Sequence, residues 1–292
     1  MDANDRPGPA TVVVDHVGMD YRTPTTAPPS GRRRRFTHNL RRMVGMSNHT
    51  YVHALKDVSF VAHEGEQIGL VGQNGSGKST LLRIIAGVEP PTRGTVRSTS
   101  TPILLGINAA LIPTLSGERN IELGLLAMGL HPDKVHRMIP QVAKLAGIGA
   151  AIKRPMSTYS SGMGARLRFA IAAAYQPHIM LIDEALGAGD AAFSSRSEKV
   201  VKRLRANAGT IFLVSHAAQT VEETCSRAIW LHNGELLADG PAEETARKYR
   251  WWAWNVAQDE PHVAEKLLHQ AREEFTEKRA ANLAEVEACR AV

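Results

Sequence analysis

Gly72-Gln73-Asn74-Gly75-Ser76-Gly77-Lys78-Ser79-Thr80 is the stretch that decides the fold. It fits the spacing GxxxxGK[ST]. Its flanks fit as well: residues 67–72 read as a short buried strand and residues 81–86 as a helix. In a glycine-rich turn between such a strand and helix, backbone N–H groups point inward and the helix N-terminus adds partial positive charge. The loop can then cradle phosphates, with Lys78 reaching the β- and γ-phosphates and Ser79 holding Mg²⁺. A chance glycine-rich turn is the competing reading, and it leaves the flanking strand and helix unexplained.

Downstream, Ile179-Met180-Leu181-Ile182-Asp183-Glu184 is an apolar run ending in two carboxylates. A buried strand that delivers an aspartate to its C-terminal edge places it beside a phosphate-bound metal. The next carboxylate can accept a proton from an attacking water. Alone, the pair reads equally as a helix cap. Tyr159-Ser160-Ser161-Gly162-Met163 precedes a predicted helix at 165–174, and Ser160 or Ser161 suits its N-cap. Residues 179–183, 210–215 and 228–231 have the aliphatic character of buried parallel strands. Residues 11–21 and 54–62 read as opening strands, and Asn233-Gly234 as a hairpin turn into 235–239. Residues 113–177 read as mostly helical with a break near Pro155, and the chain after Gly240 is helix-prone.

This combination resembles the ATP-binding-cassette ATPases over about residues 11–240. Gly72 to Thr80 matches the family's Walker A motif, and Ile179 to Glu184 matches Walker B. Tyr159 to Met163 sits where the family signature, usually LSGGQ, belongs. Gly187-Ala188-Gly189-Asp190 sits at the D-loop, and Val214-Ser215-His216 ends a strand as the family's switch histidine does. Tyr21 sits where the family stacks an aromatic on adenine, with a core tyrosine as the plain alternative. The resemblance implies an α/β fold with a RecA-like core, an antiparallel β subdomain and a helical subdomain at about 113–177. It implies ATP and Mg²⁺ as ligands, with Ser79 and Asp183 on the metal, Glu184 as general base and His216 at the γ-phosphate. It also implies a homodimer that sandwiches two ATPs, Ser160, Ser161, Gly162 and Asp190 reaching the partner's nucleotide. The membrane-spanning permease would be a separate, polytopic chain.

Two departures narrow the resemblance. The Q-loop region, Leu105-Gly106-Ile107-Asn108-Ala109, holds no glutamine, and Asn108 is the nearest amide. The signature is YSSGM. With Pro113-Thr114-Leu115-Ser116-Gly117-Glu118-Arg119-Asn120-Ile121 and Asp183-Glu184-Ala185-Leu186-Gly187-Ala188-Gly189-Asp190, these look like the ATPase subunits of polysaccharide and polyol-phosphate exporters. Such exporters carry lipid-linked O-antigen, teichoic acid or cell-wall galactan. The Ala/Arg-rich bias leans toward the galactan type of actinobacteria. That subfamily inserts a gate helix between its first two strands. Here the 32 residues at 22–53 separate Tyr21 from Ala54. A helix at 32–46 fits the spacing of Phe36, Leu40, Met43 and Val44.

Composition agrees. Of the 292 residues, 43% are hydrophobic and 22% charged, as in an ordinary globular protein. Two cysteines exclude a disulfide framework and suggest a reduced compartment. The acidic N-terminus does not read as a signal peptide, and the longest apolar candidate, 12 residues at 102–113, is too short for a membrane span. A membrane role would be peripheral, at the cytoplasmic face. Net charge is +6, and residues 22–56 contribute eight basic residues and no acid, leaving −2 for the rest. The chain therefore reads as a near-neutral body with one basic element, against a nucleic-acid partner. In that element Arg32 to Arg35 are either a solvated run or a contact for lipid or glycolipid phosphate. Residues 241–292 are too short for a carbohydrate-binding β-sandwich and read as a helical extension, with Val263, Leu267, Ala271 and Phe275 at every fourth residue. Trp251, Trp252 and Trp254 fit either core packing or a membrane interface. The rival functions are another transporter ATPase and a non-transport ATPase acting on DNA or ribosomes.

Overall fold

Continuous aliphatic runs bury both faces of a strand, and five of them form the parallel centre of the molecule. In the computed structural model, which describes residues 8–25, 48–105, 111–175, 177–183, 199–200, 202–204, 208–215 and 217–291, β3 (Gln67–Val71), β5 (Ile103–Leu105), β6 (Ile179–Asp183), β7 (Thr210–Val214) and β8 (Arg227–His232) run parallel. β9 (Glu235–Pro241) closes the sheet antiparallel to β8, giving the order β5-β6-β7-β3-β8-β9. The remaining strands, β1 (Ala10–Thr25), β2 (Asn48–His63) and β4 (Arg93–Ser98), form an antiparallel sheet in the order β2-β1-β4.

One core joins the two sheets. Ile68, Leu70, Leu181, Phe212 and Ile229 meet Val12, Val14, Leu55 and Phe60 together with Leu81, Leu82 and Ile85 of α1 (Lys78–Ile85). The far face of the parallel sheet is covered at one end by α4 (Ser161–Ala174) and at the other by α5 (Ala218–Thr224) and α6 (Ala242–Ala257). α2 (Gly117–Ala127) and α3 (Pro132–Ala146) pack with α4 into a separate helical layer around Ile121, Leu125, Val135, Val142 and Ile171.

The structure differs from the sequence reading in four places. β4 and β5 were not expected. β4 is an edge strand with a largely exposed, polar sequence, and β5 has only three residues. The first hairpin runs further than predicted: Thr25 pairs with Asn48, so both ends of the expected insertion 22–53 continue the ladder. Pro24 is tolerated because β1 pairs with β4 only as far as Gly18, leaving a single neighbour beyond that point. The predicted helix at 32–46 lies outside the described residues.

After β9 the chain forms α6 and then, past a break where Asp259 has φ +59°, α7 (Pro261–Ala288). The expected stripe on α7 was Val263, Leu267, Ala271 and Phe275. Of these Ala271 is buried and Leu267 and Phe275 are partly covered, whereas Val263 is exposed and Ala264, Leu268 and Val286 complete the packed face. α7 lies across both sheets. Arg272 pairs with Glu235 of β9, Arg279 with Asp57 of β2, and Glu285 with His63, while Arg290 beyond the helix reaches Asp15 of β1. The tryptophans divide. Trp252 is buried against Trp230 and His232, whereas Trp251 and Trp254 face outward and stack on each other at 5.2 Å. Among the described residues no helix is long and apolar enough to cross a membrane.

Candidate functional site

Three glycines give the loop after β3 its shape. Gly72, Gly75 and Gly77 have φ of +148°, +80° and +105°, a region other residues seldom adopt. A Cβ on Gly72 would stand 2.2 Å from the Leu231 carbonyl oxygen and 2.6 Å from Ser76 Oγ. Gly77 caps α1 in the left-handed conformation and supplies no side chain to bond the first helical N–H groups. Those donors and the helix dipole therefore face the loop interior. The buried Lys78 Nζ donates to the carbonyls of Gly72 (2.6 Å) and Gln73 (2.8 Å). Burial lowers the Lys78 pKa below its ordinary value, and the Asp183 carboxylate opposes that shift.

The loop rests on a feature the sequence reading did not connect to it. Asn233 and Gly234, with φ of +48° and +77°, form the predicted turn between β8 and β9. The Gly234 N–H donates to the Ser76 carbonyl (3.1 Å), and the Gly234 carbonyl accepts from Lys56 N–H (2.9 Å). A Cβ at Gly234 would meet the Ala54 carbonyl at 2.8 Å, so only glycine allows this approach. The hairpin turn thus buttresses the back of the phosphate loop against β2.

The cradle fits a nucleoside triphosphate. Ser76 Oγ is buried with no partner among the described residues, uncapped amides converge on the loop, and a lysine fills it. Ser79 is exposed at its mouth, while Thr80 is buried beneath. Gln73, Asn74 and Gly75 are exposed along the rim. Asp183 ends β6 level with Val214 of β7, which pairs in turn with Leu70 of β3. A hydroxyl and a carboxylate are hard oxygen donors of the kind Mg²⁺ takes.

Tyr21 is held by α1. Its hydroxyl donates to Glu89 Oε2 (2.8 Å) and accepts from Arg83 Nη2 (3.3 Å), and its ring packs partly on the core. Ser160 is the N-cap of α4, its hydroxyl accepting from Met163 N–H at 3.2 Å. Ser161 is exposed. At Gly162 a Cβ would find nothing nearer than Ser160 Oγ at 4.0 Å. The described structure gives Ser160 to Gly162 no hydrogen bond to the Gly72–Thr80 loop of the same chain. Instead they sit at the end of a stitched segment. Met156 N–H bonds the Leu115 carbonyl, Ser157 N–H bonds the Pro113 carbonyl, and buried Asn120 ties Ile112, Leu115 and Ser116 to α2. Glu184, Asp190, Asn108 and His216 lie outside the described residues.

Residues 55–187 match the family model described as ABC transporter. The chain is 43% identical over 196 residues to the teichoic acids export ATP-binding protein TagH of Listeria monocytogenes serotype 4b, covering 67% of this chain and 58% of that one. It is 42% identical over 203 residues to TagH of Staphylococcus haemolyticus, covering 69% of this chain and 76% of the relative. It spans little more than half the length of the Listeria relatives and 36% of that of Bacillus cereus. A solved ATP-binding subunit of an ABC transporter superposes with a TM-score of 0.61 at 22% identity, over 82% of this chain and 93% of that one. A dimeric ATP-binding cassette in a post-hydrolysis state with ADP and Pi gives 0.59 at 22% identity, over 79% and 98%. At that identity these two speak for the fold alone. The chain therefore belongs to the ABC transporter ATP-binding family, in the branch that holds the teichoic-acid export relatives.

Proposed function

We propose that this chain hydrolyses ATP to drive export of a lipid-linked cell-surface polymer across the cytoplasmic membrane, as a peripheral subunit on its cytoplasmic face. The observation that carries the ATPase reading is the cradle itself, with Lys78 set between the Gly72 and Gln73 carbonyls and within the field of Asp183. The export reading is supported by relatives named for teichoic-acid export. Galactan, O-antigen and teichoic acid share the carrier-linked phosphate, and the proposal names that class.

The loop amides and Lys78 hold the phosphates. Glu184 takes a proton from the attacking water, and His216 contacts the γ-phosphate. Mg²⁺, bound by Ser79 and Asp183, would supply charge neutralisation at the phosphates. Two copies pair head to tail, with Ser160 to Gly162 of one facing the cradle of the other, and a polytopic permease couples closure to transport.

Gly162 offers a test of the pairing. Its position within the chain is open, so a methyl there disturbs no neighbour. Gly162→Ala should leave the melting temperature unchanged or raise it slightly, alanine being the better helix former by about 1 kcal/mol. ATPase activity should nevertheless fall at least tenfold. Unchanged activity would place the signature away from the partner's nucleotide.

Changing Arg32 to Arg35 together to serine tests the transport side. ATP hydrolysis by the isolated chain should stay near normal, while polymer export by the complete transporter falls. Export at the unaltered rate would reduce the run to a solvated loop. Purification from cells should bring down a polytopic membrane protein. Recovery of nucleic acid in its place would overturn the export reading.

A further inference from the structure

The helical layer is cationic in a way the whole-chain charge conceals. Between Asp133 and Asp183 there is no acidic residue and there are seven basic ones. Together with the eight at 22–56, they leave the rest of the chain with 20 of the 35 basic residues against all 29 acidic ones. The body outside 22–56 is therefore near neutral only on average, at −2. The chain has a strongly acidic part and two acid-free basic parts.

Five of the seven, Lys134, Arg137, Lys144, Lys153 and Arg154, are exposed. On α3 the residues Lys134, Arg137, Gln141 and Lys144 follow one another at steps of three, four and three, which aligns them as one stripe about 15 Å long. The opposite stripe, Val135, Val142 and Ala146, is buried in the helical layer. Within the described chain the Arg137 Nε donates to the Asp133 carbonyl (3.1 Å), but no carboxylate answers these charges. None of the five forms an ion pair with a carboxylate among the described residues, while on α6 and α7 Arg247, Lys248, Arg250, Arg272 and Arg279 each meet one. The nearest acids in the layer are engaged or lie at its edge. Glu122 pairs with Arg119, Asp133 pairs with His131 at the helix start, and Glu118 acts on Tyr159.

We propose that the α3 stripe rests on the phosphate headgroups of an anionic membrane leaflet. A protein partner would be expected to find apolar anchors, and none of the large exposed apolar side chains among the described residues lies on α3. Single-stranded nucleic acid would be expected to find several aromatic platforms, and α3 has no Phe, Tyr or Trp and a single imidazole, His136. A flat row of uncompensated Lys and Arg suits a plane of phosphates, each near-surface cation strengthening partitioning about fivefold and losing that effect in salt. The inference deepens the export reading by naming the surface that meets the membrane, and it rests on that reading for placing the chain beside one.

The test is binding of the full chain to vesicles of phosphatidylcholine with 30% phosphatidylglycerol, compared with pure phosphatidylcholine. Lys134→Glu, Arg137→Glu and Lys144→Glu together should weaken binding at least tenfold, with ATPase and melting temperature unchanged. The neutral triple change to glutamine should weaken it less, and Lys266→Glu on exposed α7 should not. Equal binding by the triple variant overturns the proposal. So does no preference of the unaltered chain for the anionic vesicles, or tighter stripe-dependent binding to duplex DNA than to vesicles. Failure of the export reading has a different signature, since that chain would bind vesicles through the stripe yet recover no permease.

Discussion

Glutamine in place of Glu184 should leave ATP binding intact and cut hydrolysis by about 10²–10⁴-fold, the range that general acid–base catalysis supplies. The expectation follows from position. Asp183 closes β6 at the level of Val214, and its carboxylate acts on Lys78 across the sheet. β6 therefore ends, one residue before Glu184 in the sequence, at the sheet edge from which the Gly72–Thr80 loop departs. Glutamine keeps the size and the hydrogen-bonding oxygen but cannot take a proton. A single-turnover measurement with nucleotide-binding controls reads the two effects apart, and the variant should accumulate as an ATP-bound dimer. A rate within twofold of the unaltered chain would remove Glu184 from the reaction.

Alanine at Gly72 should abolish nucleotide binding. Its φ of +148° falls in a region reserved for glycine, at a cost of about 1–3 kcal/mol for any other residue. Its Cβ would also press on the Leu231 carbonyl at 2.2 Å, and backbone cannot rotate away as a side chain can. The strand, the loop and the Lys78 contact to the Gly72 carbonyl must then shift together. Nucleotide affinity should drop by at least a hundredfold, with a lower melting temperature. Gly75→Ala is the control. It has φ of +80° but nothing within 4 Å, so it should cost only the backbone strain. Fluorescent-nucleotide titration of the two variants decides the matter, and equal affinities would show that the loop does not hold the phosphates.

Much of the site could be read from residues because its signals are local. The run at 67–80 needs only a buried strand, three glycines and a lysine, and all of these fall in one stretch of chain. The strands β6, β7 and β8 were visible because a strand covered on both faces is apolar throughout. β4 escaped because both its faces are largely wet, and β5 because three residues carry no period. The buttress beneath the loop joins Gly234 to Ser76 and Lys56 through backbone atoms, which no side-chain pattern records. On α7 only Val263 of the four spaced positions misses the packed face, where Ala264 is buried in its place, because a helix docking on two sheets chooses its face by their shape. The acid-free stretch before Asp183 was visible in principle, but a whole-chain net charge averages it away.

The long helix across both sheets also sets an order of assembly. Arg290 meets Asp15 across 275 residues of chain, and Val286 completes a small cluster with Val13 and Val61. Contacts of such separation carry a heavy loop-closure cost and form late. During synthesis the outer valines of the antiparallel sheet, Val13 and Val61, stay uncovered until residues 286–290 have emerged. Closure of this face then waits on the docking of α7. Until then a ribosome-bound chain would present an open β-face, and a chaperone would find its substrate there.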